Sequence, residues 1–310
     1  MAGDRHEIGP VHRVKDVLKP LRDEVGPGFA LLGFACDEGV RRNMGRVGAA
    51  EGPAAIRRRL ARLPVHEVAP ILDAGSVSCV GADLESAQER LARAVAALVR
   101  RGFTPLVLGG GHEVAFGSFC GLIDGLGEAG DGRRVGILNI DAHFDLRHAP
   151  ERSSGTPFLD IATRLRAAGR GFHYLCVGIG AQANTAALFE RADALGVRYW
   201  LDEDCRAPAL GATLEGIDQA LATFDDLYLT IDLDALQAAI APGVSAPSPG
   251  GISLEALEAV VDLARASGKL RLVDIAECNP LVDRDEATAA VAARLVWRLL
   301  FSGEARRRRS

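Results

Sequence analysis

The sequence predicts a three-layer α/β/α fold: an open, mostly parallel sheet of eight strands with helices on both faces. Short β-branched or Leu-rich runs alternate with longer amphipathic ones from about Phe29 to the C-terminus, the signature of strand–helix–strand units. Polar, acidic segments follow some of these strands and not others. That favours an open, doubly wound sheet over a closed barrel, in which such segments are shared around the ring. No Ser/Pro-rich linker, composition break or repeat of about 20–50 residues interrupts the chain. One domain over 1–310 is expected, with 1–27 as a peripheral extension.

In chain order, the apolar run 30–34 is the first expected strand and the amphipathic segment 53–63 the first helix. Strands then follow at 71–77, 105–108, 134–141, 174–178, 197–201, 227–232 and 270–275. Between and after them, the spacing predicts helices over 84–101, 114–122, 157–168, 184–195, 214–223, 254–267 and 286–300.

Composition narrows the functional classes. With 48% hydrophobic residues in 310 the chain can bury a large core. Its 36 basic and 41 acidic residues give a net charge of -5, too mild and mixed for a nucleic-acid surface. The arginine run 306–309, within the tail 303–310, reads as a solvated, peripheral end. Cys36, Cys79, Cys120, Cys176, Cys205 and Cys278 are scattered without a CxxC spacing, so reduced thiols are expected instead of a zinc or redox pair. The N-terminus shows no apolar targeting core and no run of eighteen apolar residues occurs; a soluble, cytoplasmic protein with no membrane partner is expected.

Three segments at expected strand ends carry the chemistry: Gly109-Gly110-Gly111-His112-Glu113, Asp141-Ala142-His143-Phe144-Asp145 and Asp232-Leu233-Asp234. In an extended backbone, Asp141, His143 and Asp145 would face one side, as would Asp232 and Asp234. So many carboxylates and imidazoles repel one another unless cations lie between them, which points to a two-metal site. A mainly carboxylate set with one or two imidazoles favours a borderline-hard ion such as Mn²⁺ over thiolate-loving Zn²⁺. The glycine run does not form a nucleotide loop: Val114 stands where a dinucleotide fingerprint needs glycine, and no Lys-Ser/Thr pair follows. Its role is to let the backbone turn so that His112 points into the cleft at the carboxyl end of the sheet.

GGGHE, DAHFD, the IDLDA segment with the PGVSAPSPGG that follows, and DIAECNP occur in one order, and in that order they resemble the ureohydrolase family of arginase, agmatinase and formimidoylglutamase. The resemblance spans nearly the whole chain. It implies the open α/β sheet and two Mn²⁺ per subunit, with His112 and Asp145 on one ion, His143 and Asp234 on the other, and Asp141 and Asp232 bridging both. It further implies that Glu277 pairs with the planar amidinium or guanidinium of the substrate, for which a carboxylate accepting two parallel N–H bonds is suited. A homo-oligomer is implied as well.

Within that family the chain is similar to formimidoylglutamase-like sequences, which combine DAHFDLR, SGTPF and GVRRNMGRVGA-type segments, here at 141–147, 154–158 and 39–49. The implied reaction is hydrolysis of N-formimino-L-glutamate to L-glutamate and formamide, in histidine degradation, by a hydroxide bridged between the metals. Asp145 is the expected proton carrier, with His148 as a possible assistant. Arg147, Ser154 and Arg46 are the candidates for gripping the substrate carboxylates. Arg147 stands where arginases carry a neutral asparagine, and Ser154 where they carry a histidine; a serine does not titrate near neutral pH. Gln237-Ala238 also replaces the third acid of the arginase aspartate motif. The alternatives are a urea-releasing arginase, agmatinase or guanidino-acid hydrolase, or a non-catalytic metal-binding homologue.

Overall fold

The structure is a computed structural model that describes residues 11–66 and 70–307, with side chains followed to Phe301. Among the described residues nine strands form one parallel sheet: β1 Leu18–Pro20, β2 Phe29–Ala35, β3 Ile71–Ser78, β4 Thr104–Leu108, β5 Val135–Ile140, β6 His173–Ile179, β7 Arg198–Leu201, β8 Asp226–Asp232 and β9 Leu270–Ala276. Their order across the sheet is β1-β3-β2-β4-β9-β8-β5-β6-β7. Ten helices accompany them: α1 Val14–Val17, α2 Glu38–Arg42, α3 Gly52–Leu60, α4 Leu84–Arg100, α5 Val114–Leu126, α6 Pro157–Ala167, α7 Ala186–Ala194, α8 Leu210–Ala222, α9 Leu254–Ala266 and α10 Ala287–Arg307.

The sheet has one strand more than the eight expected. The ninth, β1, is three residues long, mostly exposed, and ends at Pro20; a segment so short carries no periodic signal, and proline confines it to an edge. Part of the segment expected to be peripheral, 1–27, is thereby integrated: Leu18–Pro20 pairs with β3, and Val14 and Val17 are buried. Residues 1–10 lie outside the described residues, and the arginine tail lies past the last described side chain.

Every residue of the central strands β5 and β8 is buried, as a parallel sheet covered on both faces requires. One face carries a core built with α3, α8, α9 and α10, the other a core built with α4, α5, α6 and α7. Close packing of α4 on α5 depends on a row of glycines: a Cβ on Gly117, Gly121 or Gly125 would lie 2.9 Å from Gln88 O, 2.6 Å from Ala92 O and 2.7 Å from Val99 Cβ, respectively. Among the described residues no helix is long and apolar enough to cross a membrane.

Parallel strands place all their carboxyl ends on one edge. The neighbours β2, β4, β9, β8 and β5 thus deliver the loops carrying Arg41 to Val47, His112, Glu277, Asp234 and Asp145 to a single crevice, where open α/β sheets bind ligands.

Candidate metal centre

β5 and β8 end side by side, with Ile140 in register with Ile231. The aspartate that follows each pair position makes the same turn: Asp141 Oδ1 accepts the His143 backbone N–H at 2.7 Å and Asp232 Oδ1 accepts that of Asp234 at 2.8 Å. These Asx turns end the extended backbone. The i, i+2, i+4 alternation expected for Asp141, His143 and Asp145 therefore does not apply, since β5 stops at Ile140 and Asp145 adopts a left-handed φ of 49°. The side chains converge through turns instead of pleating. Glu277, just past β9, is likewise left-handed at φ 67°. Strained non-glycine backbone of this kind costs roughly 1–3 kcal/mol and persists where surrounding structure dictates it.

His112 is positioned by the glycine loop. None of Gly109, Gly110 and Gly111 has a positive φ; what the loop needs is closeness. A Cβ on Gly110 would lie 1.7 Å from Cys36 O, because the loop is wedged between the ends of β2 and β9. Gly111 N donates to Cys36 O at 3.0 Å, and Glu277 N donates to Gly110 O at 2.8 Å. The His112 backbone N–H then donates to Glu277 Oε1 at 3.1 Å, and its ring Nε2 lies 2.9 Å from Thr230 Oγ1.

Six side chains meet in this way. His112 Nδ1 is 3.1 Å from Asp141 Oδ2, 2.9 Å from Asp145 Oδ2 and 3.2 Å from Asp232 Oδ2. His143 Nδ1 is 3.1 Å from Asp234 Oδ2 and 3.5 Å from Asp141 Oδ1. They form two potential ligand sets, His112/Asp141/Asp145/Asp232 and Asp141/His143/Asp234, sharing Asp141. Asp232 groups with the first set alone.

Several buried carboxylates crowded against two imidazoles set the electrostatics of this cluster. Burial pushes the Asp232 carboxyl far above its ordinary range, reinforced by Asp234 and Asp141. Burial likewise raises Asp234 to about 6, and raises Asp145 with help from the charge on Asp141. Glu277 is driven up by burial and then by Asp232 and Glu113. The Asp234 charge, against the opposing effect of burial, raises His143 to about 12. Burial opposes charge on His112 too, yet its three carboxylate neighbours hold the imidazolium well above the usual histidine range. Among the cage carboxylates Asp141 alone is lowered, as the two imidazoles beside it outweigh its burial.

The donor set fits divalent cations. His112 Nδ1, Asp234 Oδ1 and Glu277 Oε2 are buried with no hydrogen-bond partner, although three carboxylates surround the first. Proximity without hydrogen-bond alignment is the geometry of ligands aimed at a common centre. Carboxylates and imidazoles with no thiolate suit a hard or borderline ion.

Beside this cage opens a cleft of about 260 Å³, lined in part by Arg147, Ser154, Glu277, Asn43, Met44 and Ser245. Arg147 is exposed and packs over Gly155, where a Cβ would lie 2.7 Å from its Cδ. Ser154 Oγ accepts from Asn43 Nδ2 at 3.1 Å. Arg46 is not among the residues that line the cleft, although its neighbour Gly45 is. The Arg46 guanidinium donates to the carbonyls of Val244 and Ser245 and ties two loops together. His148 is exposed and also lies outside the lining. Sequence reasoning passed over Asn43, Met44, Ser245 and Ala246 as lining residues, because none is titratable. Their signal was position, within the 39–49 segment and the PGVSAPSPGG segment.

Comparison with known proteins follows the same lines. The formimidoylglutamase of Aeromonas salmonicida (strain A449) is 55% identical over 281 residues, 90% of this chain and 88% of that protein. The crystal structure of formimidoylglutamase from Bacillus subtilis shares the fold with a TM-score of 0.83, at 22% identity over 97% of this chain and 94% of that one. Trypanosoma cruzi formiminoglutamase, crystallised with Mn²⁺, gives a TM-score of 0.81 at 26% identity, covering 95% of this chain and 99% of its own. The arginase family profile matches residues 27–302, and the chain belongs to the arginase family.

Proposed function

We propose that this protein hydrolyses N-formimino-L-glutamate to L-glutamate and formamide with two Mn²⁺ in its carboxylate–imidazole cage. The observation that carries the reading is the 55% identity to a formimidoylglutamase across 90% of the chain, together with the Arg147-bearing cleft beside the cage. Water adds to the formimino carbon, the bond from that carbon to the glutamate nitrogen breaks, and the amine leaves with a proton.

His112 and Asp145 would hold one ion and His143 and Asp234 the other, with Asp141 and Asp232 between them. Two such ions, when bound, lower the pKa of a shared water toward neutrality. Asp145 turns Oδ2 toward His112 and has its second oxygen to take a proton from the water and return it to the leaving nitrogen. Glu277 gives Oε1 to the His112 N–H and has the unpartnered Oε2 to face the amidinium. Its burial strengthens that pairing. Arg147 attracts a substrate carboxylate and disfavours a cationic, carboxylate-free substrate such as agmatine. The Asn43–Ser154 pair borders the same space. A place in histidine degradation and a cytoplasmic homo-oligomer belong to the same proposal.

The test is product identification: formamide and urea released in parallel assays from N-formimino-L-glutamate, arginine and guanidinobutyrate by the Mn²⁺-loaded protein. Formamide from the first substrate is expected; dominant urea from either of the others overturns the proposal.

A further inference from the structure

The parallel sheet has a second edge. Its carboxyl ends carry the cage, and the amino ends of β5 and β6, where Gly136 is in register with His173, open on the opposite side. The stretch from Arg134 through β5 to Asp141 spans roughly 20 Å at about 3.3 Å per residue, so a ligand there is out of reach of the metal centre. A cavity of about 270 Å³ lies at these ends, close in size to the 260 Å³ cleft beside the cage. Arg133, Arg134, Arg170 and His173 line it, and no acidic residue does. Its floor is apolar: Phe119 and Leu165 are buried, and Ile123 joins them in the lining.

The charges around this cavity do not balance. The buried Asp226 carboxylate is divided between two guanidiniums, accepting from Arg133 Nε and Nη2 at 2.5 and 2.8 Å and from Arg271 Nε at 2.7 Å. Asp225 accepts the backbone N–H of Arg134 at 2.8 Å, and Arg170 donates Nη2 to Gly130 O at 3.0 Å, an uncharged acceptor. Among the described residues neither the Arg134 nor the Arg170 guanidinium has a carboxylate partner. The chain has more acidic than basic residues, 41 against 36, so carboxylates are not in short supply; cations gathered without them repel one another and leave room for a counter-charge from outside. His173 adds a donor. A Cβ on Gly171 would lie 2.9 Å from its Nε2, so the glycine keeps that nitrogen clear. Burial, and then the charge of Arg134, lower the imidazole below its ordinary range, and the neutral ring offers one N–H.

We propose that this cavity binds a small dianion, a dicarboxylate or a phosphate-like oxyanion, gripped by Arg134 and Arg170 with Arg133 adding its charge. The planar guanidinium fork matches either group, and two unpaired cations call for two negative charges. The volume limits the ligand to a small molecule, and the floor of Phe119, Ile123 and Leu165 suits a short hydrocarbon stem between two carboxylates. The site stands apart from the cage and does not depend on the substrate read for it.

Isothermal titration calorimetry of the full, Mn²⁺-loaded chain with glutarate and with sulfate, at an ionic strength fixed by chloride, tests the proposal. At least one probe should bind, about 10-fold more weakly in Arg134→Ala, and this binding should vanish in Arg134→Ala/Arg170→Ala. Any binding of either probe at the cage, roughly 20 Å away, is the part that survives both substitutions. Arg93→Ala, which removes an equal charge from the exposed Arg93–Glu89 pair on α4, should leave affinity unchanged. Circular dichroism melts should match across the set; Arg134 is exposed, so its single variant decides the matter even if the double one fails to fold. Glutarate alone assigns a dicarboxylate, sulfate alone a tetrahedral oxyanion, and both together the bare dianion. Absence of binding to the wild type, equal affinity in wild type and Arg134→Ala, or equal loss in Arg93→Ala overturns the proposal.

Discussion

Replacing Gly110 by alanine isolates the steric logic of the metal centre. The new Cβ would sit 1.7 Å from Cys36 O, 2.7 Å from Cys36 C and 3.0 Å from Cys36 N, all backbone atoms. Carbon and oxygen must separate by about 1.5 Å or more to reach an ordinary contact, and neither neighbour is a flexible side chain that could swing aside. The retreat strains two hydrogen bonds, Gly111 N to Cys36 O and Glu277 N to Gly110 O, each worth about 1 kcal/mol. Overpacking adds about 1–3 kcal/mol, so about 3–5 kcal/mol of destabilisation is expected. Because His112 follows two residues later, Mn²⁺ binding at its site should weaken with it. Urea denaturation of the metal-free protein and Mn²⁺ titration measure the two effects. Gly211→Ala is the control: nothing lies within 4 Å of its Cβ position, and in α8 it should gain stability by up to about 1 kcal/mol. A Gly110→Ala protein with unchanged midpoint and full Mn²⁺ affinity would refute the wedged-loop account.

Glu277→Gln should keep both ions, since the Gln oxygen still accepts the His112 N–H. It should lose about 2–3 kcal/mol of charge-assisted bonding to an amidinium, a fall of about 30- to 150-fold in kcat/KM; loss of metal instead would assign the residue to the cage. For Arg147→Ala, an exposed charge, KM for N-formimino-L-glutamate should rise about 10-fold, ~1.4 kcal/mol, and an unchanged KM would remove it from substrate recognition. The metal-free protein should lose stability as pH rises. His143, raised to about 12, contributes stability below its unfolded value of about 6.5 and loses it progressively above. Asp234, raised to about 6, favours the folded state while protonated and loses that contribution between about 3.8 and 6, so the two shifts act in the same direction. Mn²⁺ should reverse the trend above pH 6.5, because binding displaces those protons. Thermal scans at pH 6, 7.5 and 9 with and without Mn²⁺ check this, and a metal-free protein more stable at pH 9 than at pH 6 would contradict it.

Periodicity revealed the layer architecture because helices and fully buried strands differ so clearly in length and pattern here. β1 escaped it, since three residues with a proline at the end hold no period. The six cage side chains could be named from motifs because each is a rare residue type at a strand end, yet the reason for their convergence could not. An alternation argument assumes extended backbone, and whether an aspartate curls back on its own i+2 amide depends on where the sheet stops. Arg46 shows the complementary limit. Its sequence context says nothing of the carbonyls about 200 residues away that its guanidinium meets, a partnership only the fold creates. Asn43 and Ser245 lacked any charge to draw notice.

The twin Asx turns at Asp141 and Asp232 mount the cage on the two central, wholly buried strands, whereas Asn43, Arg147 and Ser245 ride on separate connecting segments. The cage turns and the outer lining of the cleft are thereby carried by different segments of the chain. Redesign for a different amidine should therefore begin with the segments that carry Asn43, Arg147 and Ser245, while leaving both aspartate turns untouched.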